Sequence, residues 1–201
     1  AENRNGARLY WQTLDVATTL VQYATTVRLL GGYAAPERHA GWLRSFFRPQ
    51  VEVLNRTQRE IHNIATWHRC AVLQTALVFG DEAMWRDALG GEFGFRQQMA
   101  RGITSDYLWW EQSFGYNSYV VRAVLTLFTT AGLYGRAPEL ATEMNIAENL
   151  MLSPIYLRFP DGHAPNPADH ASSPLVAPDR STLATAYRVF PTSLGLQSAA
   201  T

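Results

Sequence analysis

The stretch from Val120 to Leu133 constrains the fold most, because its spacing is helical while most of its residues are apolar. A helix that is apolar around most of its circumference needs neighbouring elements on more than one side. Similar helical patterns run from Leu9 to Leu30 and from Thr57 to about Val78, and no extended segment alternates like a half-buried strand. The sequence therefore predicts an all-α protein built from antiparallel helix pairs with short links.

Stacked inner and outer helices, as in an α/α toroid, would provide neighbours on several sides of each helix. Periodicity indicates about seven helices, which is too few to close a full ring. We therefore expect residues 1–201 to form a single helical domain with the architecture of an incomplete α/α toroid. This domain would be part of a larger toroid whose remainder lies on another segment or on a separate chain.

Proline and capping residues predict where the first helices begin and end. Pro36 suits the first position of a helix, and Pro49 should kink or split that helix. Thr57 and Glu60 have the spacing of a capping box, which predicts that the next helix begins there. Gly80 should end it.

The second half of the chain contains two further predicted helices and a long loop. The residues from Thr104 to Gly115 show no clean helical pattern, and a strong helix runs from Tyr116 to Tyr134, where Gly135 ends it. Pro138 begins another helix that extends to about Leu152. Residues 153–182 are rich in Pro, Asp, Ser and Ala, so we predict an irregular loop there.

The composition excludes several functional classes. The formal net charge is +0, so the chain lacks the overall basic field of a nucleic-acid-binding protein. No apolar run is long enough to cross a membrane, and no set of side chains has metal-ligand spacing. We therefore expect no membrane span, no metal and no cofactor. Cys70, the single cysteine, lies in an apolar helical run and should be a buried, unreactive thiol.

The stretch "EIHNIATWHRC" contains the first group of candidate site residues. Asn63 and Trp67 are four positions apart and should share a helix face, with His62 and Thr66 on the adjacent strip. Asn is mildly unfavourable in a helix interior, which suggests that Asn63 has a function. The alternative is that Asn63 and His62 simply hydrogen-bond to neighbouring helices.

The stretch "WWEQSFGYNSY" contains the second group. Tyr116 should lie in the first turn of a helix, where the helix dipole favours negative charge. Glu111 and Gln112 add hydrogen-bonding groups, and flat surfaces on which sugar rings stack come from three aromatic residues, Trp109, Trp110 and Phe114. The alternative is that the aromatic residues form core and that Tyr116 is a satisfied buried phenol.

The two stretches have a characteristic order and spacing. Tyr116 follows Asn63 by 53 positions (116 − 63), and residues 157–169 read "LRFPDGHAPNPAD". In these features the chain resembles the heparinase II/III-like polysaccharide lyases, over about residues 56–169. Asn63 matches the residue that neutralises the uronate carboxylate, and Tyr116 matches the catalytic tyrosine. Two positions depart from the family pattern: Asn117 replaces a His of many relatives, and Ile64 replaces a His of some alginate-cleaving relatives.

The resemblance implies a β-elimination on a uronic-acid-containing polysaccharide, without a cofactor. A proton leaves C5, the C4–O bond breaks and an unsaturated uronate forms. A donor from Asn63 to the carboxylate would stabilise the enolate-like intermediate by about 3 kcal/mol. Tyr116 would protonate the departing oxygen and, in a syn elimination, would also be the base. His62, Trp67, Trp110 and Glu111 are the candidates for substrate binding.

In an anti elimination a separate His would be the base. The sequence leaves that role unassigned among five residues, His39, His62, His68, His163 and His170. The family also draws a further His, and a β-sandwich that closes the cleft, from segments C-terminal to the matched region. The expected partners are therefore an anionic polysaccharide and a β-sandwich segment or companion chain, and the expected location is the periplasm or outside the cell. Nucleic acid and membrane are not expected partners.

Two other functions remain open from the sequence. A glycoside hydrolase on an α/α toroid needs two carboxylates that face the cleft. Glu111 is one possibility, but neither Asp106 nor Asp161 is convincingly placed as its partner. The other function is a non-catalytic helical module that binds acidic glycans. The product separates the reactions, because elimination creates a conjugated double bond and hydrolysis does not.

Overall fold

The computed structural model describes residues 9–161, 163, 165, 168 and 180–193. These residues form nine α-helices and no β-strand, which confirms the all-α class. The chain divides into two compact units, Ala1–Gln98 and Met99–Thr201. The expectation of one helical domain stays a prediction.

The first unit is organised around one buried helix. Its helices are α1 (Thr13–Leu30), α2 (Pro36–Trp42), α3 (Arg48–Arg56), α4 (Asn63–Phe79) and α5 (Glu82–Gly90), and α6 (Phe95–Arg101) contains the boundary to the second unit. Helix α4 packs against α1, α3 and α5. Every residue of α4 from Asn63 to Leu77 is buried except Ile64. The apolar pattern predicts this burial, because such a helix is stable only with neighbours on several sides.

Pro49 splits its helix, as the sequence predicts. Helix α2 ends at Trp42, a π-helical turn covers Leu43–Phe47, and α3 begins at Arg48 with Pro49 in its first turn. Proline lacks an N–H group and its ring clashes with the carbonyl four residues earlier. The wider π turn immediately before Pro49 is a recognised way to interrupt the helical hydrogen-bond ladder.

The predicted capping box at Thr57 and Glu60 is wrong. Helix α4 begins at Asn63, and its N-cap is His62, whose Nδ1 accepts a hydrogen bond from the Ile64 N–H at 3.2 Å. The Thr57 hydroxyl instead donates back to the Val53 carbonyl at 3.1 Å and completes the last turn of α3. The other end of α4 is as predicted, since Gly80 has a left-handed φ of 65°.

The second unit contains α7 (Phe114–Leu133), a 3₁₀ turn (Ala137–Leu140), α8 (Ala141–Tyr156) and α9 (Arg180–Ala186). Helix α7 packs against α8 and the 3₁₀ turn. It begins two residues earlier than predicted, because Ser113 is its N-cap. Gly135 follows it with a φ of 69°, as expected of a residue that ends a helix.

The predicted loop at residues 153–182 has different boundaries in the structure. Helix α8 continues through Pro154 to Tyr156, and α9, which the sequence analysis missed, begins at Arg180. Pro154 has no N–H group for the carbonyl of Leu150, and the Asn117 side chain fills that place by donating to this carbonyl at 2.8 Å. Most of the predicted loop lies outside the described residues.

Candidate functional site

Asn63 lies in the first unit as the first residue of α4, and it is 5% exposed. The corrected start of α4 moves Asn63 from a helix interior, as the sequence analysis assumed, to a helix N-terminus. The N-terminal turn carries unpaired N–H groups and a partial positive charge, which favour an anionic neighbour. The helix N-terminus favours an anion electrostatically, while the Asn63 side chain itself is buried.

His62 and Trp67, the neighbours of Asn63, help to fix the start of α4. His62 is half-buried, and its ring caps α4, while its carbonyl accepts from the Thr66 hydroxyl at 3.1 Å. Trp67 is on the same face as Asn63, as predicted, but it is only 8% exposed. Trp67 therefore supports the helix start and offers little ring surface to a sugar.

Gln98 is a functional candidate that the sequence analysis missed. This completely buried amide on α6 donates from Nε2 to the Glu60 carbonyl at 2.8 Å and to the Phe93 carbonyl at 3.2 Å. Its Oε1 accepts from the His62 N–H at 3.1 Å. These contacts fix the backbone of Glu60 and of the extended N-cap residue His62, and they explain why the helix begins at Asn63. Spacing within the sequence contains no signal for a contact across 36 residues.

Tyr116 lies in the second unit as the third residue of α7 and is half-buried. Its backbone N–H donates to the hydroxyl of the N-cap Ser113 at 3.3 Å. The first-turn position agrees with the sequence analysis, and it places the phenol beside the positive end of the α7 dipole.

The aromatic residues before Tyr116 divide into core and surface. Trp109 and Phe114 are buried, at 0% and 4% exposure, so the prediction that their faces are open to a sugar is wrong. Both rings belong to the core. Hydrogen bonds from Asn117 of α7 connect the segment that contains Trp109 to α8. Trp110 is 45% exposed.

Asn117 connects three parts of the second unit. Its Oδ1 accepts from the Trp109 N–H at 2.9 Å, and its Nδ2 donates to the Leu150 carbonyl of α8 at 2.8 Å. The indole Nε1 of Trp109 in turn donates to the Glu111 carboxylate at 2.5 Å. Asn117 therefore positions the segment that leads to Tyr116, at the position where many members of the resembling family have His.

The structure limits which histidines could be the base in an anti elimination. His68 is completely buried, and burial, assisted by Arg69, lowers its pKa to about 3, so it is neutral and inaccessible to substrate. His163 is exposed and contacts Asp161, with Nδ1 and Oδ2 3.1 Å apart. His170, like most of the "FPDG" motif region beyond Asp161, lies outside the described residues.

Cys70 is buried, as predicted, and burial raises the pKa of its thiol well above the usual range. None of the helices in the described ranges is long and apolar enough to cross a membrane.

The candidate residues thus form two local groups. Asn63, His62 and Trp67 are in the first unit, and Trp110, Glu111 and Tyr116 are in the second. Each group is held by one buried amide side chain, Gln98 in the first unit and Asn117 in the second. The spatial relation between the groups stays a prediction from the motif spacing.

Neither a protein-family model nor a curated protein sequence matches the chain. The resemblance to heparinase II/III-like lyases therefore depends on the quoted motifs, and the function that it implies is a proposal.

Proposed function

We propose that this chain is the helical part of a polysaccharide lyase that cleaves uronate-containing polymers by β-elimination. In this proposal its helices form an incomplete α/α toroid, and a β-sandwich segment or companion chain completes the cleft. One observation carries the proposal: Asn63 and Tyr116 both lie in the first turn of a long helix. Helix N-termini favour the negative charge that this reaction places on a carboxylate and on a phenolate.

The two residues have complementary tasks in the reaction. The Asn63 amide donates a hydrogen bond to the uronate carboxylate and stabilises the charge that develops when C5 loses its proton. In a syn elimination the Tyr116 phenolate takes the C5 proton and then returns it to the O4 leaving group, which restores the phenolate and leaves the C4–C5 double bond. In an anti elimination Tyr116 protonates O4 and a His takes the C5 proton. Each positioned proton transfer contributes about 10² to 10⁴-fold in rate.

The surrounding residues support binding and positioning. The exposed ring of Trp110 offers a face for a sugar, as the sequence analysis proposed. Glu111 accepts from the buried Trp109 indole and fixes the start of the segment that leads to Tyr116. His62 caps α4 at the position immediately before Asn63.

One experiment tests the reaction and the role of Tyr116 together. The full-length protein is incubated with a panel of uronate polysaccharides of the heparan, alginate, hyaluronan and ulvan types, and ultraviolet absorbance of the unsaturated product is followed. We expect Tyr116→Phe to abolish the absorbance increase, whereas Tyr119→Phe, a matched change on the same helix, retains it. Circular dichroism verifies that both variants fold. Full turnover in Tyr116→Phe would contradict the assignment.

The same panel distinguishes the other functions. New reducing ends without ultraviolet absorbance would indicate a glycoside hydrolase. Polysaccharide binding without any product would indicate a non-catalytic module.

A further inference from the structure

A polar cleft opens in the first unit. It has a volume of about 290 Å³, and its walls include Asn55, Arg59, Arg69, Asp87, Glu92 and Phe93. These residues come from the end of α3, the segment before α4, α4 itself, α5 and the segment after α5. A volume of this size is near the lower end for small-molecule sites, so the cleft suits one small ligand.

The charges of the cleft balance one another. Arg59 forms an ion pair with Glu92, and Arg69 interacts electrostatically with Asp87. Burial lowers the pKa of Arg69 to about 10, so its guanidinium remains charged at neutral pH. Two cations and two carboxylates leave no net charge on the walls. The cleft therefore has no electrostatic preference for an anion such as a uronate.

The walls nevertheless offer many hydrogen bonds. Arg69 is 9% exposed and donates from one nitrogen to the Leu54 carbonyl at 3.1 Å, and a guanidinium has five N–H donors in total. The carboxylates of Asp87 and Glu92 supply acceptors. The Oδ1 atom of Asn55 is buried and has no hydrogen-bond partner in the part of the chain that the structure describes. Asn55 is therefore a wall residue with an unused hydrogen-bond acceptor among the described residues.

The backbone of the cleft is held in an unusual conformation. Gln58 and Phe93, which both line it, have left-handed φ values of 50° and 53°. Residues other than glycine adopt this region rarely, and such residues concentrate at functional sites. Gln97 accepts from the Phe93 N–H, and Gln98 donates to its carbonyl, each at 3.2 Å. The wall at Phe93 is thus fixed before any ligand arrives.

We propose that this cleft binds one neutral sugar residue through adjacent hydroxyl groups. A hydroxyl both donates and accepts hydrogen bonds, and it therefore matches walls that carry both guanidinium donors and carboxylate acceptors. Phe93 adds an apolar surface for the C–H groups of the ring. Neither Asn63 nor Tyr116 lines the cleft, and binding there does not require lyase activity.

The test measures binding of neutral methyl glycosides to the full chain. Methyl glycosides of glucose, galactose, mannose and N-acetylglucosamine are titrated by isothermal calorimetry or ligand-observed NMR, together with methyl glucuronide. We expect at least one neutral glycoside to bind with a Kd on the order of 1 mM and to bind more tightly than the glucuronide. Tyr116→Phe should leave this affinity unchanged.

Two variants locate the site. Asp87 and Glu92 are exposed, so Asp87→Ala and Glu92→Ala should fold, which thermal melting verifies. Each should weaken binding by about tenfold, because each removes charge-assisted hydrogen bonds. Glu52→Ala, an exposed carboxylate on α3 that does not line the cleft, is the matched control and should bind normally. The proposal is overturned if no neutral glycoside binds, if only the glucuronide binds, or if both cleft variants bind as the control does.

Discussion

His68 should make the stability of the protein depend steeply on pH in the acid range. Its ring is completely buried in α4. Neither ring nitrogen has a hydrogen-bond partner of good geometry among the described residues. Burial and then the charge of Arg69 lower the pKa of His68 from 6.5 to about 3, and the backbone at Leu54 and Thr13 opposes this shift only in part. In the unfolded chain the same imidazole has an ordinary pKa of about 6.5.

The sign and size of the effect follow from the two pKa values. Between pH 6.5 and about 3 the unfolded chain binds a proton that the folded chain does not, so acid favours unfolding. The stability is therefore complete above pH 6.5 and is lost as the pH falls toward 3. Two pH units below 6.5 therefore lower the free energy of unfolding by roughly 3 kcal/mol.

The assay compares urea unfolding at about pH 7.5 and about pH 4.5 for the wild type and for His68→Met. Methionine fills a similar volume without a titratable group. We expect the variant to lose roughly 3 kcal/mol less than the wild type between these pH values, whatever its absolute stability. His163→Met, at an exposed imidazole, is the control and should keep the pH dependence of the wild type. An equal loss in the wild type and His68→Met would refute the reasoning.

Three further outcomes are expected from the buried polar and thiol groups. Cys70 should react with a thiol reagent such as Ellman's reagent only after unfolding in urea, because the thiol is buried and its pKa is raised; rapid reaction of the native protein would contradict this. Gln98→Ala should lower the free energy of unfolding by about 1–3 kcal/mol and reduce the turnover of the proposed lyase reaction, because it releases the backbone groups before α4. Gln97→Ala, which loses a single hydrogen bond to Phe93, should have the smaller effect in both urea unfolding and turnover assays. Asn117→Ala should also lower the free energy of unfolding by about 1–3 kcal/mol, while Ser118→Ala, at the next residue, should change it little. Equal melting temperatures of these two variants would argue against a positioning role for Asn117.

Much of the fold could be predicted because its signals are local. Gly80 and Gly135 end helices in the left-handed conformation, and Pro36 begins one, since backbone geometry at these residues depends on the residue itself. The apolar pattern of α4 predicted its nearly complete burial. The same kind of local signal placed Tyr116 in the first turn of α7.

The start of α4 shows why the rest could not be predicted. Thr57 and Glu60 satisfy the local rule for a capping box, yet the helix begins six residues after Thr57, at Asn63. The deciding hydrogen bonds come from Gln98, which is distant in sequence and becomes a neighbour only when α6 packs in place. A local preference worth about 1 kcal/mol is easily outweighed by several buried hydrogen bonds.

Contacts between residues that are distant in sequence also decide which aromatic residues are buried and which are exposed. Trp109 and Trp110 are adjacent and chemically identical, so the sequence could propose both as sugar-binding surfaces but could not separate them. The contacts of Asn117 with the Trp109 backbone and with α8 place Trp109 in the core and leave Trp110 partly exposed. Sequence was sufficient for the helical class and for the helix ends at Gly80 and Gly135, and it nominated Asn63 and Tyr116 as candidates. Tertiary packing was required to decide which side chains are accessible, because burial is a property of neighbours that are remote along the chain.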